Sequence, residues 1–108
     1  MMPHPDADCR EKIRIHVDPD IADLIPGFLE NRRKDITAMQ AALEQGDFET
    51  VRVLGHSMKG AGGGYGFDAI TDIGAALEQA AKDRNRESIG KSLRDLSSYL
   101  DRVEVAGD

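Results

Sequence analysis

The fold is decided by residues 47–67, DFETVRVLGHSMKGAGGGYGF, where one apolar stripe and a run of glycines share a single segment. The apolar residues recur at steps of three and four, which is the spacing of one face of an α-helix. They are Phe48, Val51, Leu54, Met58, Ala61 and Tyr65. Asp47 stands where a helix N-cap is expected. We therefore predict an amphipathic helix that begins after Asp47 and carries glycines in its second half.

The glycines of this helix are too concentrated to be incidental. Six of the eleven in the chain are Gly55, Gly60, Gly62, Gly63, Gly64 and Gly66. Glycine inside a helix costs about 1 kcal/mol relative to alanine, and close approach of another surface is one reason to keep it. At about 100° per residue, Gly60 and Gly63 face outward, which favours room for a partner. We interpret Gly62, Gly64 and Gly66 as structural, serving helix packing or the helix end.

Similar stripes on either side predict three more helices. The first runs from about Phe28 to a stop at Gly46, the second spans Ile70 to Ala81, and the third follows a cap at Asn85 and extends to Val103. Asp18 followed by Pro19 predicts a short additional N-terminal helix. No alternating β-branched run is evident, which favours an all-α fold.

Four amphipathic helices with short connections bury their stripes most simply as an antiparallel up-down four-helix bundle, an all-α fold. The chain has 108 residues, 40% of them hydrophobic, which suits one domain with a real core. Residues 1–17 contain two prolines and mixed charge without a sustained period. We expect 1–17 to be an N-terminal tail or arm and 18–108 to be the bundle domain.

Composition excludes several classes of function. The net charge of −6 disfavours nucleic-acid binding. No apolar run approaches the roughly 20 residues of a membrane span, and the N-terminus lacks the pattern of a signal peptide. The single cysteine, Cys9, excludes an internal disulfide and a cysteine-based zinc cluster, and His4, Asp6, Cys9 and His16 follow no recognised metal-site spacing. We expect a cytoplasmic monomer with no membrane contact and no bound metal.

The outward face of the glycine-rich helix carries the residues with chemical potential. His56 points away from the apolar stripe and shares its sector with Arg52, Lys59, Gly60 and Gly63. This combination offers one nucleophile, two cations and two exposed stretches of backbone. The alternative is an ordinary solvated histidine with a surface lysine beside it.

A carboxylate reaches the same level in the next helix. His56 lies eleven residues before Phe67 and Glu78 lies eleven after it, so an antiparallel pair brings them side by side. Glu78 could accept a hydrogen bond from the Nδ1–H of His56, which fixes the tautomer and leaves Nε2 as a nucleophile. The alternative is a surface pair between Glu78 and Lys82 worth a few tenths of a kcal/mol. The two interpretations are compatible.

Two nucleotide-binding patterns are present only in part. Gly55 to Gly60 has the glycine spacing of a P-loop, but Ala61 stands where that motif needs lysine. Residues 64–69 match G-x-G-x-x-A, yet no predicted strand precedes them. A nucleotide-binding enzyme is therefore disfavoured.

The segment LGHSMKGAGGGYG, residues 54–66, resembles the H-x-x-K-G-x-x-x-x-x-G signature of histidine-containing phosphotransfer (HPt) domains. His56, Lys59, Gly60 and Gly66 fall at the expected offsets. The likeness extends from the helix before Gly46 to the final helix near Val103, and the family fold is a helical bundle. The sequence departs at residues 62–65, where the family more often has small polar residues or alanine and then leucine.

This resemblance implies a role for each residue of the outward face. His56 would be the phosphoacceptor, Lys59 would offset the phosphoryl charge, and Gly60 would leave room for a partner docked also on Arg52 and Gly63. Glu78 matches the position from which the phosphotransfer domains of chemotaxis kinases orient the histidine, where other members use glutamine.

The implied function is that of a phosphorelay intermediate in two-component signal transduction. It would accept a phosphoryl group from a receiver-domain aspartate or a sensor histidine kinase and pass it to a response-regulator aspartate. The Mg²⁺ would belong to the receiver, and the chain would hold no cofactor and have no kinase activity of its own. The alternative is a non-catalytic helical interaction module that docks a partner through its glycine-rich face.

Overall fold

The structure, a computed structural model, describes residues 13–107, with side chains from residue 15 to residue 103. Residues 1–12 of the expected arm, with His4, Asp6 and Cys9, lie outside the described part. The elements in chain order are β1 (Ile13–Val17), a 3₁₀ helix (Pro19–Leu24), α1 (Ile25–Glu44), α2 (Phe48–Gly64), α3 (Asp68–Lys82), α4 (Arg86–Arg102) and β2 (Val103–Gly107).

The four α-helices form the predicted all-α bundle. The principal contacts join α1 to α2, α2 to α3, α3 to α4 and α4 back to α1, so the helices enclose one core. Connections of three residues make neighbouring helices run antiparallel. The largest fully buried side chains are Phe67, Ile25, Met39, Met58, Ile70, Leu77, Ile89, Leu96 and Val51.

None of the helices within residues 13–107 is long and apolar enough to cross a membrane.

The helix boundaries follow the capping signals of the sequence. The Asp47 carboxylate accepts a hydrogen bond from the Thr50 N–H at 3.1 Å, and the Asn85 side chain accepts one from the Ser88 N–H at 3.1 Å. Asp18 caps the short N-terminal helix, which is a 3₁₀ helix. These caps satisfy backbone N–H groups that the first turn of a helix leaves without partners.

A short two-stranded sheet accompanies the predicted helical bundle. β1 and β2 pair in parallel, in a register that runs from Ile13 opposite Val103 to Val17 opposite Gly107. Residues 13–17, which the sequence assigned to the arm, thus join the C-terminal end of the chain, and α4 ends at Arg102 rather than Val103. Residues 13–17, IRIHV, alternate β-branched and polar residues, which is a strand pattern that the sequence-based prediction missed. The partner strand lies at the other end of the chain, so the pairing itself is not evident from local sequence.

Backbone packs directly against backbone between α2 and α3. A Cβ atom on Gly55 would lie 2.8 Å from the Glu78 amide nitrogen, and one on Gly74 would lie 2.6 Å from the Lys59 amide nitrogen. A Cβ atom on Gly62 would lie 2.6 Å from the Thr71 hydroxyl oxygen. No side chain fits at such distances, so these glycines allow the two helices to approach closely.

The other glycines of the cluster leave open space. A Cβ atom on Gly60, Gly64 or Gly66 would meet nothing within 4 Å, and one on Gly63 would meet only the Thr71 hydroxyl at 3.6 Å. The packing role predicted for Gly62 is confirmed, whereas Gly64 simply ends α2. Gly66 has a φ of 85°, which ends the helix in a conformation that favours glycine.

The apolar stripe of α2 is rotated from its predicted centre. Val51 and Met58 are fully buried, whereas Leu54, Ala61 and Tyr65 are only partly buried against the core. The buried glycines of α2 occupy the remaining width of the inner face. This rotation turns His56 toward α3 rather than directly away from the bundle.

We expect Gly55→Ala and Gly74→Ala each to lower the free energy of unfolding by about 1–3 kcal/mol, because the new methyl group overpacks a backbone contact. Gly60→Ala is the matched control. It should raise the free energy of unfolding by up to about 1 kcal/mol, because alanine favours the helix and meets no atom there. Urea denaturation of the three variants measures the difference. Equal effects at all three positions would contradict the close α2–α3 contact.

Candidate functional site

His56 lies in the middle of α2 and presents its ring to solvent. Its side chain is 64% exposed. The neighbouring Gly55 touches the backbone of α3 at Glu78, so the close approach of the helices sets the distance between the two side chains. The placement of His56 therefore depends directly on the glycine contact.

The imidazole of His56 is held by a buried carboxylate. Its Nδ1 lies 3.0 Å from Oε2 of Glu78, and the Glu78 side chain is only 10% exposed. An ionised carboxylate only accepts hydrogen bonds, so Nδ1 carries the proton in this contact. In the neutral form of an imidazole with its proton on Nδ1, the other ring nitrogen, Nε2, keeps its lone pair. The geometry provides an oriented nucleophile at the surface.

Two lysines accompany the same carboxylate. Lys59 Nζ lies 2.9 Å from Oε1 of Glu78, and Lys82 Nζ lies 3.8 Å from Oε2. The hydrogen bond from Lys59 is the largest influence on Glu78 and lowers the pKa of its carboxyl group below the ordinary value of 4.5; burial opposes it, and the hydrogen bond from His56 adds to it. Glu78 is therefore a carboxylate at neutral pH.

Arg52, one turn before His56, belongs to a different ion pair. Its guanidinium donates two hydrogen bonds to Glu49 on the same helix. The pKa of Arg52 is raised, chiefly by that hydrogen bond. Among the predicted site residues, the structure brings together His56, Lys59 and Glu78, whereas Arg52 lies beside them with its own partner. Gly60 and Gly63 occupy the outward surface, and the docking role assigned to them stays a prediction.

Several residues of this site are not evident from the motif. The pairing of Lys59 with Glu78 was not predicted, because helix spacing places a lysine without fixing where its flexible side chain points. Gly74 and Gly55 were not recognised as a contact pair, because they lie at unequal distances from Phe67, seven residues after it and twelve before it. Lys82 was considered only as a surface partner of Glu78.

The fold and the site together describe a small four-helix bundle that presents a histidine at its surface. A buried carboxylate orients this histidine. A comparison with protein-family models matches residues 23–106 to the Hpt domain. The chain belongs to the Hpt domain family. No curated protein and no solved structure matched it significantly.

Family membership defines the general function. Hpt domains take part in phosphotransfer in two-component signalling. They carry phosphoryl groups without kinase activity, and they interact with receiver domains and kinases.

The lowered pKa of Glu78 predicts a pH dependence of stability. A carboxyl group whose pKa falls on folding contributes stability above its unfolded pKa and loses it as the pH drops through the folded pKa. We expect wild-type protein to lose free energy of unfolding below about pH 4.5. The side chain in Glu78→Gln cannot titrate. At neutral pH this variant should have a lower free energy of unfolding than wild type, and the difference between the two proteins should become smaller as the pH falls.

Urea denaturation across this pH range measures the effect. Asp95→Asn is the control, because Asp95 lies in an exposed pair with Lys91. A constant deficit of Glu78→Gln from neutral to acidic pH would contradict the charge-dependent contribution of Glu78.

Proposed function

We propose that this protein is a phosphorelay intermediate that carries the phosphoryl group on Nε2 of His56. It accepts the group from a receiver-domain aspartate or a histidine kinase and passes it to a response-regulator aspartate. The observation that carries the proposal is the 3.0 Å contact between Nδ1 of His56 and buried Glu78, with the ring itself exposed. A solvated surface histidine would need no such partner.

Phosphoryl transfer to His56 forms one bond and breaks one. The lone pair of Nε2 attacks the phosphorus of an aspartyl phosphate, the Nε2–P bond forms, and the P–O bond breaks. The electron pair of that bond returns to the aspartate carboxylate. The ring then bears a proton on Nδ1 and a phosphoryl group on Nε2, and so carries positive charge. Glu78, in contact with Nδ1, stabilises that charge, and the reverse step regenerates the neutral ring.

Residues near His56 contact the phosphoryl group or the partner domain that donates or accepts it. Lys59 is three positions after His56 on the same helix and is 41% exposed, so its ammonium group can reach the phosphoryl oxygens. Gly60 leaves open space on the outward surface, which allows close approach of a receiver. Arg52 and Gly63 extend the same docking face. The Mg²⁺ of the reaction is expected in the partner receiver domain.

The proposal includes a monomer acting in the cytoplasm, where receiver domains and a sensor histidine kinase would be its partners. The acceptor and its carboxylate lie on the adjacent helices α2 and α3 of one chain. A second copy is therefore not needed to complete the site.

Replacement of the acceptor gives the primary test. His56→Gln should abolish a base-stable, acid-labile phosphate acquired from a phosphorylated receiver, because glutamine has no ring nitrogen to form the bond. His16→Gln and His4→Gln are matched controls and should label like wild type. Phosphate labelling with circular dichroism checks both chemistry and fold. Undiminished labelling of His56→Gln would contradict the assignment.

The alternative, a docking module without chemistry, gives a different result. It predicts no phosphate on wild-type protein and binding to its partner that is insensitive to His56→Gln but weakened by Gly60→Arg. In a phosphorelay, Gly60→Arg should slow transfer because the new side chain obstructs the partner, while His56→Gln removes transfer entirely.

Glu78→Ala should raise the activation free energy of transfer by more than it lowers the free energy of unfolding. Loss of a hydrogen bond to a charged group costs about 1.5–3 kcal/mol, or roughly tenfold to a hundredfold in rate if the bond persists in the transition state. Single-turnover transfer and urea denaturation measured on the same variant compare the two effects. A collapse of stability with an unchanged rate in the folded fraction would make Glu78 purely structural.

A further inference from the structure

Three side-chain nitrogen atoms lie near the two carboxylate oxygens of Glu78. Lys59 Nζ lies 2.9 Å from Oε1, and Oε2 faces both His56 Nδ1 at 3.0 Å and Lys82 Nζ at 3.8 Å. The distance to Lys82 exceeds the usual 2.7–2.9 Å of a charge-assisted hydrogen bond. Lys82 is therefore near the carboxylate without being fully engaged.

Phosphorylation of His56 gives these lysines a second anionic group to contact. This step rests on the proposed function, in which Lys59 turns toward the phosphoryl oxygens on His56. In that step the Lys59 ammonium group leaves Oε1 of Glu78, which it contacts at 2.9 Å in the unphosphorylated protein. The Glu78 side chain, which is only 10% exposed, then keeps the charged ring of His56 at Oε2 but loses the lysine at Oε1. Removal of one partner of a buried carboxylate is destabilising.

We propose that Lys82 is a positioning residue that replaces Lys59 as the lysine partner of Glu78 when Lys59 turns to the phosphoryl group on His56. The movement required is about 1 Å, from 3.8 Å to hydrogen-bonding distance. The Lys82 side chain is 52% exposed, so it has room to move. By keeping Glu78 ionised and in place, Lys82 preserves the contact that stabilises the phosphorylated ring.

The other nearby cation does not fill this role. Arg52 donates two hydrogen bonds to Glu49, so its guanidinium is already paired. In the unphosphorylated protein, the low pKa of Glu78 is accounted for by Lys59 and His56. Removal of Lys82 should therefore cost little before phosphorylation and more after it.

The experiment compares the two states of each variant. Wild type, Lys82→Met and Lys82→Arg are phosphorylated with phosphoramidate, and urea denaturation is measured at once on both forms. Lys82→Met should raise the unfolding equilibrium constant of the phosphorylated form about two- to fivefold more than that of the unphosphorylated form, the range of a partly exposed ion pair. Lys82→Arg should restore the wild-type difference, because it keeps the charge.

Lys91→Met is the matched control, because Lys91 also lies four residues from its carboxylate partner but in an exposed pair. It should affect both forms equally. A second measurement uses Lys59→Met as background. There Lys82 is already the principal lysine at Glu78, so Lys82→Met should become more destabilising even without phosphate.

The outcomes separate this inference from the function on which it rests. A wild-type protein that takes no phosphoryl group on His56 would overturn the proposed function and the inference together. A phosphorylated wild type with Lys82→Met affecting both forms equally, or with no rescue by Lys82→Arg, would overturn the role of Lys82 alone. An unchanged cost of Lys82→Met in the Lys59→Met background would also contradict it.

Discussion

The close approach of α2 and α3 at glycine residues is the constraint on which the site depends. A side chain at Gly55 or Gly74 would occupy space filled by the backbone of the opposite helix. The same contact fixes the register of the α2–α3 pair, because Gly55 meets the amide of Glu78. His56, the next residue along α2, is then within hydrogen-bond distance of the Glu78 carboxylate. Packing thus provides the orientation that the imidazole could not obtain alone.

A nearly buried charge is tolerated at this contact because it is surrounded by donors. Glu78 receives hydrogen bonds or ion pairs at both oxygens, from Lys59 and His56, with Lys82 close by. Buried ions are costly when left unpaired, so the carboxylate and its cations function as a group. His56 belongs to that group through Nδ1 while its ring stays exposed, and this division between a held nitrogen and a free nitrogen is what a phosphoryl carrier requires.

The sequence predicts the bundle and the central pair because both depend on local rules. Caps at Asp47 and Asn85 and helical periodicity are properties of adjacent residues, and the pairing of His56 with Glu78 follows from equal distances to Phe67. The sheet of β1 and β2 could not be predicted in this way, since it joins residues 13–17 to residues 103–107. The contact of Lys59 with Glu78 depends on side-chain rotamers. A glycine pattern also does not show which neighbouring helix packs against it. Only the structure distinguishes the glycines of α2 that contact α3 from those that face outward.

The central claim is that Glu78 holds the Nδ1 proton of His56 and leaves Nε2 free. It is tested most directly by ¹⁵N NMR of the His56 ring at alkaline pH, where an imidazole is neutral. We expect a protonated Nδ1 and an unprotonated Nε2 in the wild-type protein, with this preference weakened in Glu78→Ala. A wild-type ring that carries its proton on Nε2 would contradict the claim, because the nitrogen assigned to the phosphoryl group would then have no free lone pair.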